Sequence, residues 1–344
     1  MIDMLFDFAI GNPPYNDEFN LIGNKTFAPP VYNDFIDAAT TVAKKVELIH
    51  PARFLFNAGS TPKAWNKKML EDIHFKVLQY EEDATLIFPD TDIKGGVAIT
   101  YRDKEKDFGA IQIFTKYPEL NSIVKKISSK IKSSLSDIIY TQNRFNLDNL
   151  YQDYPEYRVI IGSNGKDKRF RNNIFEKIPI FFETERENSY PTIGVLKNKR
   201  VYRYIDISYV DENHENLKKW KVLEARANGA GRFGEIISQP IVVGPNTAYT
   251  QTFIGIGSFD TEDEAISLQS YLKTKFLRTL LGVLKVTQDN DREVWRMIPV
   301  QDFSKGADID WSKSIAEIDQ QLYRKYGLSK EEISFIETNV KEME

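Results

Sequence analysis

Asn12-Pro13-Pro14-Tyr15 follows the apolar run Phe6-Asp7-Phe8-Ala9-Ile10-Gly11, and its residue types suit one demanding task. An exocyclic amine on an aromatic ring, such as that of adenine, is a poor nucleophile because its lone pair is delocalised. A catalyst must localise that pair and aim it at an electrophile. The side-chain oxygen of Asn12 and the main-chain carbonyl of Pro13 can each accept one amine hydrogen, and the paired prolines restrict the backbone that points the carbonyl. No charged base is required. Tyr15 adds a ring on which an unstacked base can lie. The bland alternative is a rigid, proline-rich strand exit without chemistry.

Several elements must position this loop. The run at 6–10 predicts a strand, and Gly11 would let the backbone come close to a ligand. The loop then falls at the carboxyl end of a sheet strand, where open α/β sheets bind ligands. A helix is expected over 33–45 and a strand over 46–49. A second helix follows, capped by Ser60 or Thr61, with Pro62 in its first turn and Trp65, Met69 and Ile73 at helical spacing. Strands over 74–80 and 97–102 complete half of a doubly wound sheet. Beyond Lys104 the alternation fades into loops rich in Asn, Asp and Lys, which places a domain boundary there and gives segments 1–104 and 105–344. In the second segment 118–132 reads as helix, and 157–161, 221–225 and 241–243 read as strands. Residues 261–285 read as one long helix opened by a Thr261 and Glu264 capping box. Gly327 ends a helix and Ser329 with Glu332 begins the next, a carboxyl-terminal helix hairpin.

Composition sets looser bounds. The 344 residues, 41% hydrophobic and 12% aromatic, can bury a sizeable core in two domains. No apolar run approaches the ~18 residues of a membrane span, and no secretory signal opens the chain, so a cytoplasmic protein without a membrane is expected. Cysteine is absent and His50, His74 and His214 are dispersed, so no metal centre is expected. His50, before Pro51, reads as a turn or packing residue. The net charge of −4 confines phosphate binding to local basic patches. One candidate is Lys166, Lys168, Arg169 and Arg171 around Phe170, in a loop opened by Ser163, Asn164 and Gly165. Another is the helical face of Lys273, Lys275 and Arg278. Either patch alone reads more readily as ordinary solvated surface.

Asn12 to Tyr15 resembles motif IV of adenine-specific DNA methyltransferases, and the residues after it resemble the methylase and target-recognition portions of bacterial restriction-modification enzymes of the type II/IIG kind. Residues 30–39, Pro-Val-Tyr-Asn-Asp-Phe-Ile-Asp-Ala-Ala, are similar to the family's helix after the loop. Residues 46–55, Val-Glu-Leu-Ile-His-Pro-Ala-Arg-Phe-Leu, are similar to its next strand and turn. Ile87-Phe88-Pro89-Asp90-Thr91-Asp92-Ile93-Lys94-Gly95-Gly96-Val97 resembles the segment whose aromatic packs against the flipped base. The likeness continues at 221–231, 255–260, 271–278, 299–303 and 322–329. It implies a partial doubly wound methyltransferase sheet followed by a mixed α+β target-recognition domain. It also implies methyl transfer from S-adenosylmethionine to a flipped adenine of double-stranded DNA, with Asn12, Pro13, Pro14 and Tyr15 catalytic and Tyr15 and Phe88 holding the base. Both basic patches then become candidate DNA contacts.

Gly229-Ala230-Gly231-Arg232-Phe233-Gly234 matches the letters of the glycine fingerprint of dinucleotide and S-adenosylmethionine sites. Ile236, Ile237 and residues 241–243 after it read as strand rather than cofactor-binding helix, and no acidic ribose ligand follows about 20 residues on. A recognition loop is preferred, with Arg232 as a DNA contact. In the non-permuted class that the chain resembles, the cofactor loop precedes Asn-Pro-Pro-Tyr, whereas eleven residues precede Asn12 here. The expectation is a split, truncated or frameshifted methylase completed by an upstream polypeptide, with an unpaired sheet edge. Three functions compete: adenine methylation, a noncatalytic DNA-recognition subunit or remnant, and nucleic-acid cleavage. The last is least favoured. Pro89-Asp90 with Asp92-Ile93-Lys94 matches a nuclease pattern only superficially, its acidic groups being too close in sequence.

Overall fold

The computed structural model describes residues 5–16, 28–89, 93–162 and 167–343. The chain divides into two compact units, Met1–Lys125 and Lys126–Glu344. The first unit runs through β1 (Phe6–Gly11), α1 (Tyr32–Val42), β2 (Ala43–Pro51), α2 (Lys63–Glu71), β3 (Phe75–Glu81) and β4 (Val97–Asp103), and the division falls inside α3 (Pro118–Ser128). Its sheet has the order β1-β2-β4-β3. β1 and β2 are parallel, and β4 is antiparallel to both of its neighbours.

Pairing decides where helix yields to strand. The helix expected to reach residue 45 stops at Val42 because Ala43 pairs with Phe6 and Lys45 with Asp103, so the sheet claims both. Pro62 precedes α2, but Thr61 does not cap it: the Thr61 hydroxyl donates to Asn66 Oδ1 at 2.7 Å, with both residues buried. Along β2 every second side chain, Val46, Leu48 and His50, is buried. Tyr32 and Ile36 of α1 and Trp65, Met69 and Leu70 of α2 join the same core. Each such apolar side chain contributes roughly 1.5–3 kcal/mol on burial.

The first unit extends past the composition shift at Lys104 because the following residues fold back onto it. Phe108 N donates to Ile73 O at 2.7 Å and Gln112 N to Leu70 O at 2.8 Å, while Ile111 and Phe114 pack against the core. The opposite margin is bare. β1 is a sheet edge among the described residues, and Phe6, Phe8 and Ile10, which share one face, are 58%, 60% and 76% exposed.

The second unit contains, in order, β5 (Ile139–Tyr140), α4 (Leu147–Asp153), α5 (Tyr157–Ile161), α6 (Ile174–Lys177), β6 (Ser189–Leu196), β7 (Lys199–Asp206), β8 (Trp220–Ala225), β9 (Ile241–Val243), β10 (Ala248–Tyr249), β11 (Phe253–Phe259), α7 (Glu262–Lys273), α8 (Lys275–Leu284), α9 (Ile315–Tyr326) and α10 (Lys330–Asn339). The strands form two sheets, β10-β6-β7 and β5-β11-β8-β9. The strand expected over 157–161 is a helix instead. Tyr157 and Ile161, one helical turn apart, are buried while Arg158, Val159 and Ile160 between them are exposed, which outweighs the β-propensity of Val-Ile-Ile. The carboxyl end is the expected helix pair. Gly327 adopts φ 68° after α9, Ser329 and Glu332 cap α10, and the Tyr323 hydroxyl donates to Glu337 Oε1 at 3.0 Å across the pair.

The long helix expected over 261–285 is two helices broken at Thr274. Thr274 is extended (φ −63°, ψ 147°), and its hydroxyl accepts from Leu277 N at 3.1 Å. Asp319 of α9 accepts the amides of Lys275 at 2.9 Å and Phe276 at 2.8 Å. A buried carboxylate from a distant helix thus supplies acceptors that the first turn of α8 lacks. Replacement by alanine separates the two devices. In urea titrations at neutral pH, Thr274→Ala should cost about 1 kcal/mol of unfolding free energy, and Asp319→Ala more, about 2–3 kcal/mol, because two interior amides lose a charged acceptor.

Candidate active site

β1 delivers the Asn-Pro-Pro-Tyr loop to the carboxyl end of the sheet. Its last residue, Gly11, pairs with Leu48, so Asn12 leaves the sheet three residues before β2 ends at Pro51. A Cβ on Gly11 would meet only Leu48 Cδ2 at 3.8 Å, an ordinary contact, so the described residues do not themselves require glycine there. Asn12 and Pro14 are exposed, and Pro13 and Tyr15 are half-buried. The far side of the loop is pinned, since the Tyr15 carbonyl accepts from Val31 N at 3.1 Å and Asn16 bridges Pro30.

Tyr15 and Phe88 come together. Their ring centroids lie 6.4 Å apart at 73°, an edge-to-face contact between the loop after β1 and the connection from β3 to β4. In this contact the rings touch directly, so a base would stack on an outer face rather than between them. Burial raises the Tyr15 phenol above its usual 10.0, and the Asn12 side chain, drawn towards the hydroxyl, tempers the rise. That approach falls short of a full hydrogen bond, and the buried hydroxyl has no other partner among the described residues.

His50 stands behind the loop as a neutral strut. It is fully buried, its ring lies parallel to that of Tyr32 with centroids 5.8 Å apart, and its nitrogens lie 3.1 Å from Pro51 O and 2.7 Å from Thr100 Oγ1. Both partners suit an uncharged imidazole, and burial lowers its pKa to about 4.

The cations singled out in the sequence are scattered. Lys166 lies outside the described residues, as do Ser163, Asn164, Gly165, Asp90 and Asp92. Lys168 is exposed and Arg169 and Arg171 are half-buried, but Phe170 between the latter two is a core residue packed 4.5 Å from Phe145. The face of Lys273, Lys275 and Arg278 is not a solvent-facing patch. Lys273 is half-buried, Lys275 pairs with Glu337 at 2.5 Å, and Arg278 is 2% exposed, with burial lowering its pKa against the opposing pull of Asp319. The sequence missed this because helix periodicity does not reveal which face a following helix pair will cover.

The glycine-rich stretch at 229–234 is folded around its own carboxylate. Gly229, Gly231 and Gly234 all take positive φ, and Glu235 accepts the amides of Ala230 and Gly231 at 2.9 Å each while pairing with Lys285 at 2.9 Å. These contacts outweigh desolvation and hold the Glu235 carboxyl down at about 2. The anion nest is thus filled from within, and the stretch does not fit S-adenosylmethionine. Arg232 is exposed on this loop. Elsewhere in the second unit, a cleft of about 600 Å³ gathers Asn172, Asn198, Arg200, Arg226, Gln251 and Asp289, polar groups that the sequence alone did not bring together, with Arg226 paired to Asp291. A second cavity, about 520 Å³ along β3 and residues 108–116, does not include Asn12 or Tyr15 in its lining.

Residues 1–88 match the family described as Eco57I restriction-modification methylase. The matched segment includes the loop, Tyr15 and Phe88. No curated protein matches the chain. Among solved structures it is similar to the type IIG restriction endonuclease BpuSI (10% identity, TM-score 0.33, 92% of this chain and 48% of that one). It is also similar to the DNA-bound type IIL restriction-modification enzyme MmeI (9%, 0.31, 97% and 56%) and the DNA-bound, ATP-dependent type ISP restriction-modification enzyme LlaBIII (10%, 0.24, 82% and 28%). The chain spans between 28% and 56% of the length of these three. Among the described residues no helix is long and apolar enough to cross a membrane.

The His50 environment makes a pH prediction. Its folded pKa of about 4 lies below the usual 6.5, so the unfolded chain binds more protons between those values, and His50's contribution to stability is lost as pH falls through the window. Urea unfolding at pH 7 and pH 4.5 should show a smaller acid-induced loss for His50→Gln than for the wild type. Equal losses in both proteins would reject the neutral-strut assignment.

Proposed function

We propose that this chain supplies the amine-activating and DNA-recognising parts of an adenine-specific DNA methyltransferase in a restriction-modification system. The observation that carries this reading is the ring contact between Tyr15 and Phe88 at the mouth of the Asn12 to Tyr15 loop, inside the segment that matches the methylase family. An adenine flipped onto the Tyr15 ring presents its amine to Asn12 Oδ1 and Pro13 O. Those two acceptors hold the amine hydrogens and concentrate the lone pair on nitrogen, while Pro14 stiffens the turn that aims them. The methyl donor, by family likeness S-adenosylmethionine, has no assigned binding residues among those described.

The β1 margin supports a sheet that continues. Parallel and mixed α/β sheets normally bury both faces, and an unpaired apolar edge recruits further strands. Phe6, Phe8 and Ile10 fit the boundary of a doubly wound methyltransferase sheet whose cofactor-binding strands come from further polypeptide, upstream in the same or a separate chain. Residues 126–344 then act as the target-recognition part, with Arg232, Lys168, Arg169 and Arg171 as candidate contacts to double-stranded DNA. Arg200, Arg226 and Gln251 of the polar cleft have the donor and acceptor types that read base edges. That cleft also supports the second reading, a noncatalytic DNA-recognition subunit.

Radiolabelled methyl transfer to adenine-containing duplex, with and without the polypeptide encoded immediately upstream, distinguishes these readings. Methylation is expected only in the complemented reaction, and Asn12→Ala should lower it by at least about a hundredfold, the usual effect of removing one such polar contact. DNA binding should survive that substitution. Methylation by the isolated chain would refute the split arrangement, and complemented wild type without activity would leave the recognition subunit. A charge on the β1 face, Phe8→Lys with Ile10→Lys, should abolish complementation while leaving DNA binding by the chain unchanged.

A further inference from the structure

Arg53 opens the turn directly after β2, as Asn12 opens the loop directly after β1, and the two strands are parallel neighbours. The side chain of Arg53 is exposed, yet its stem is walled in by two glycines from different loops. A Cβ on Gly95 would fall 2.7 Å from Arg53 Cγ, and one on Gly59 would fall 3.2 Å from Arg53 Cβ. Both glycines hold positive φ, +87° and +83°, so any other residue at either place would strain the backbone and crowd the arginine. The head is the converse of the stem. No hydrogen bond or ion pair engages the guanidinium among the described residues, and its charge is felt at the hydroxyl of Tyr32. Lys94, next to Gly95, is a second exposed cation without an ion pair among the described residues.

An arginine with a fixed stem and a bare head is prepared to bind, because most of the side-chain entropy that binding would cost is already lost. Its position says what it binds. The connection from β3 to β4 sets Phe88 against Tyr15 near one end and Gly95 against Arg53 near the other, so base platform and cation cradle share one loop. Val31, whose amide holds the Tyr15 carbonyl, adjoins Tyr32, whose hydroxyl feels the Arg53 charge, so the loop and the cation meet the same stretch of chain. The guanidinium fork matches phosphate oxygens, and Lys94 adds a second positive charge of the same sign.

We propose that Arg53, in its glycine cradle, is a phosphate-binding residue that grips the DNA backbone beside the target nucleotide. This rests on the methyltransferase reading above and extends it to the strand that bears the base. Gly59 and Gly95 are positioning residues that set the direction of the guanidinium.

The test uses the full chain and a fluorescein-labelled duplex with one adenine opposite an abasic site, read by anisotropy across a salt series. Arg53→Gln should bind roughly tenfold more weakly at low salt, the loss of one charge-assisted contact, and should lower the slope of log affinity against log salt by about 0.9. Arg53→Lys, which keeps the charge and loses the fork, should restore the slope but not the full affinity. Tyr15→Ala should weaken binding with the slope intact. Methylphosphonates placed singly along the target strand should reveal one linkage beside the adenine whose neutralisation weakens the wild type and has no effect on Arg53→Gln. Wild-type affinity and slope in Arg53→Gln, with every linkage behaving alike in both proteins, would overturn the proposal while leaving the methyltransferase reading in place. A wild-type chain that binds no duplex would overturn both.

Discussion

Parallel pairing of β1 with β2 is the constraint on which the placement of the Asn12 loop depends. Gly11 opposite Leu48 fixes where the chain leaves the sheet, and hence where Asn12 and Pro13 present their acceptors. β2 runs three residues beyond that exit, to Pro51, before the turn that holds Arg53. Everything else in the unit braces this arrangement: His50 and Tyr32 stack beneath it, Val31 holds the Tyr15 carbonyl, and the β3 to β4 connection brings Phe88 to the Tyr15 ring. None of these braces is charged. That agrees with the proposed handling of a neutral amine, since a buried charge would carry a desolvation penalty.

The pairing is also one-sided. β2 is hydrogen-bonded along both edges, whereas β1 is bonded along one and shows its aromatic and aliphatic face to solvent. The strand that leads into the Asn12 loop is therefore, like β3 at the other margin, an edge strand among the described residues.

In the second unit, charged side chains fold inwards to satisfy backbone. Glu235 fills the glycine nest with Lys285 as counter-ion, and Asp319 caps α8 from α9. Lys221 is fully buried and donates to the carbonyls of Lys219 and Gly244, and Glu224 is buried against Ser238. Burial lowers the Lys221 amine to about 7 and raises the Glu224 carboxyl to about 8. These groups are spent on loop geometry. A count of charges therefore overstates how many of them stand free at the surface of the unit.

By itself the sequence determined the short-range features: the strand leading into Asn12, the proline-stiffened loop, strands β3, β4, β8 and β9, and the capping boxes at Thr261 and Ser329. Each is set by residues within one or two turns of one another, so local preference and pattern suffice. The likeness of its motifs to methyltransferases also singled out Phe88. Only the tertiary structure decided what depends on partners far along the chain. The break at Thr274 needs Asp319, the loss of Lys275 and Arg278 as surface cations needs α9 and α10, and the helix at Tyr157 needs the core that receives its two buried residues. Arg53 is the clearest case: Gly59 and Gly95 read as ordinary turn glycines until folding sets both against one arginine stem, because only close packing in three dimensions tells a glycine that frees the backbone from one that makes room for a neighbour.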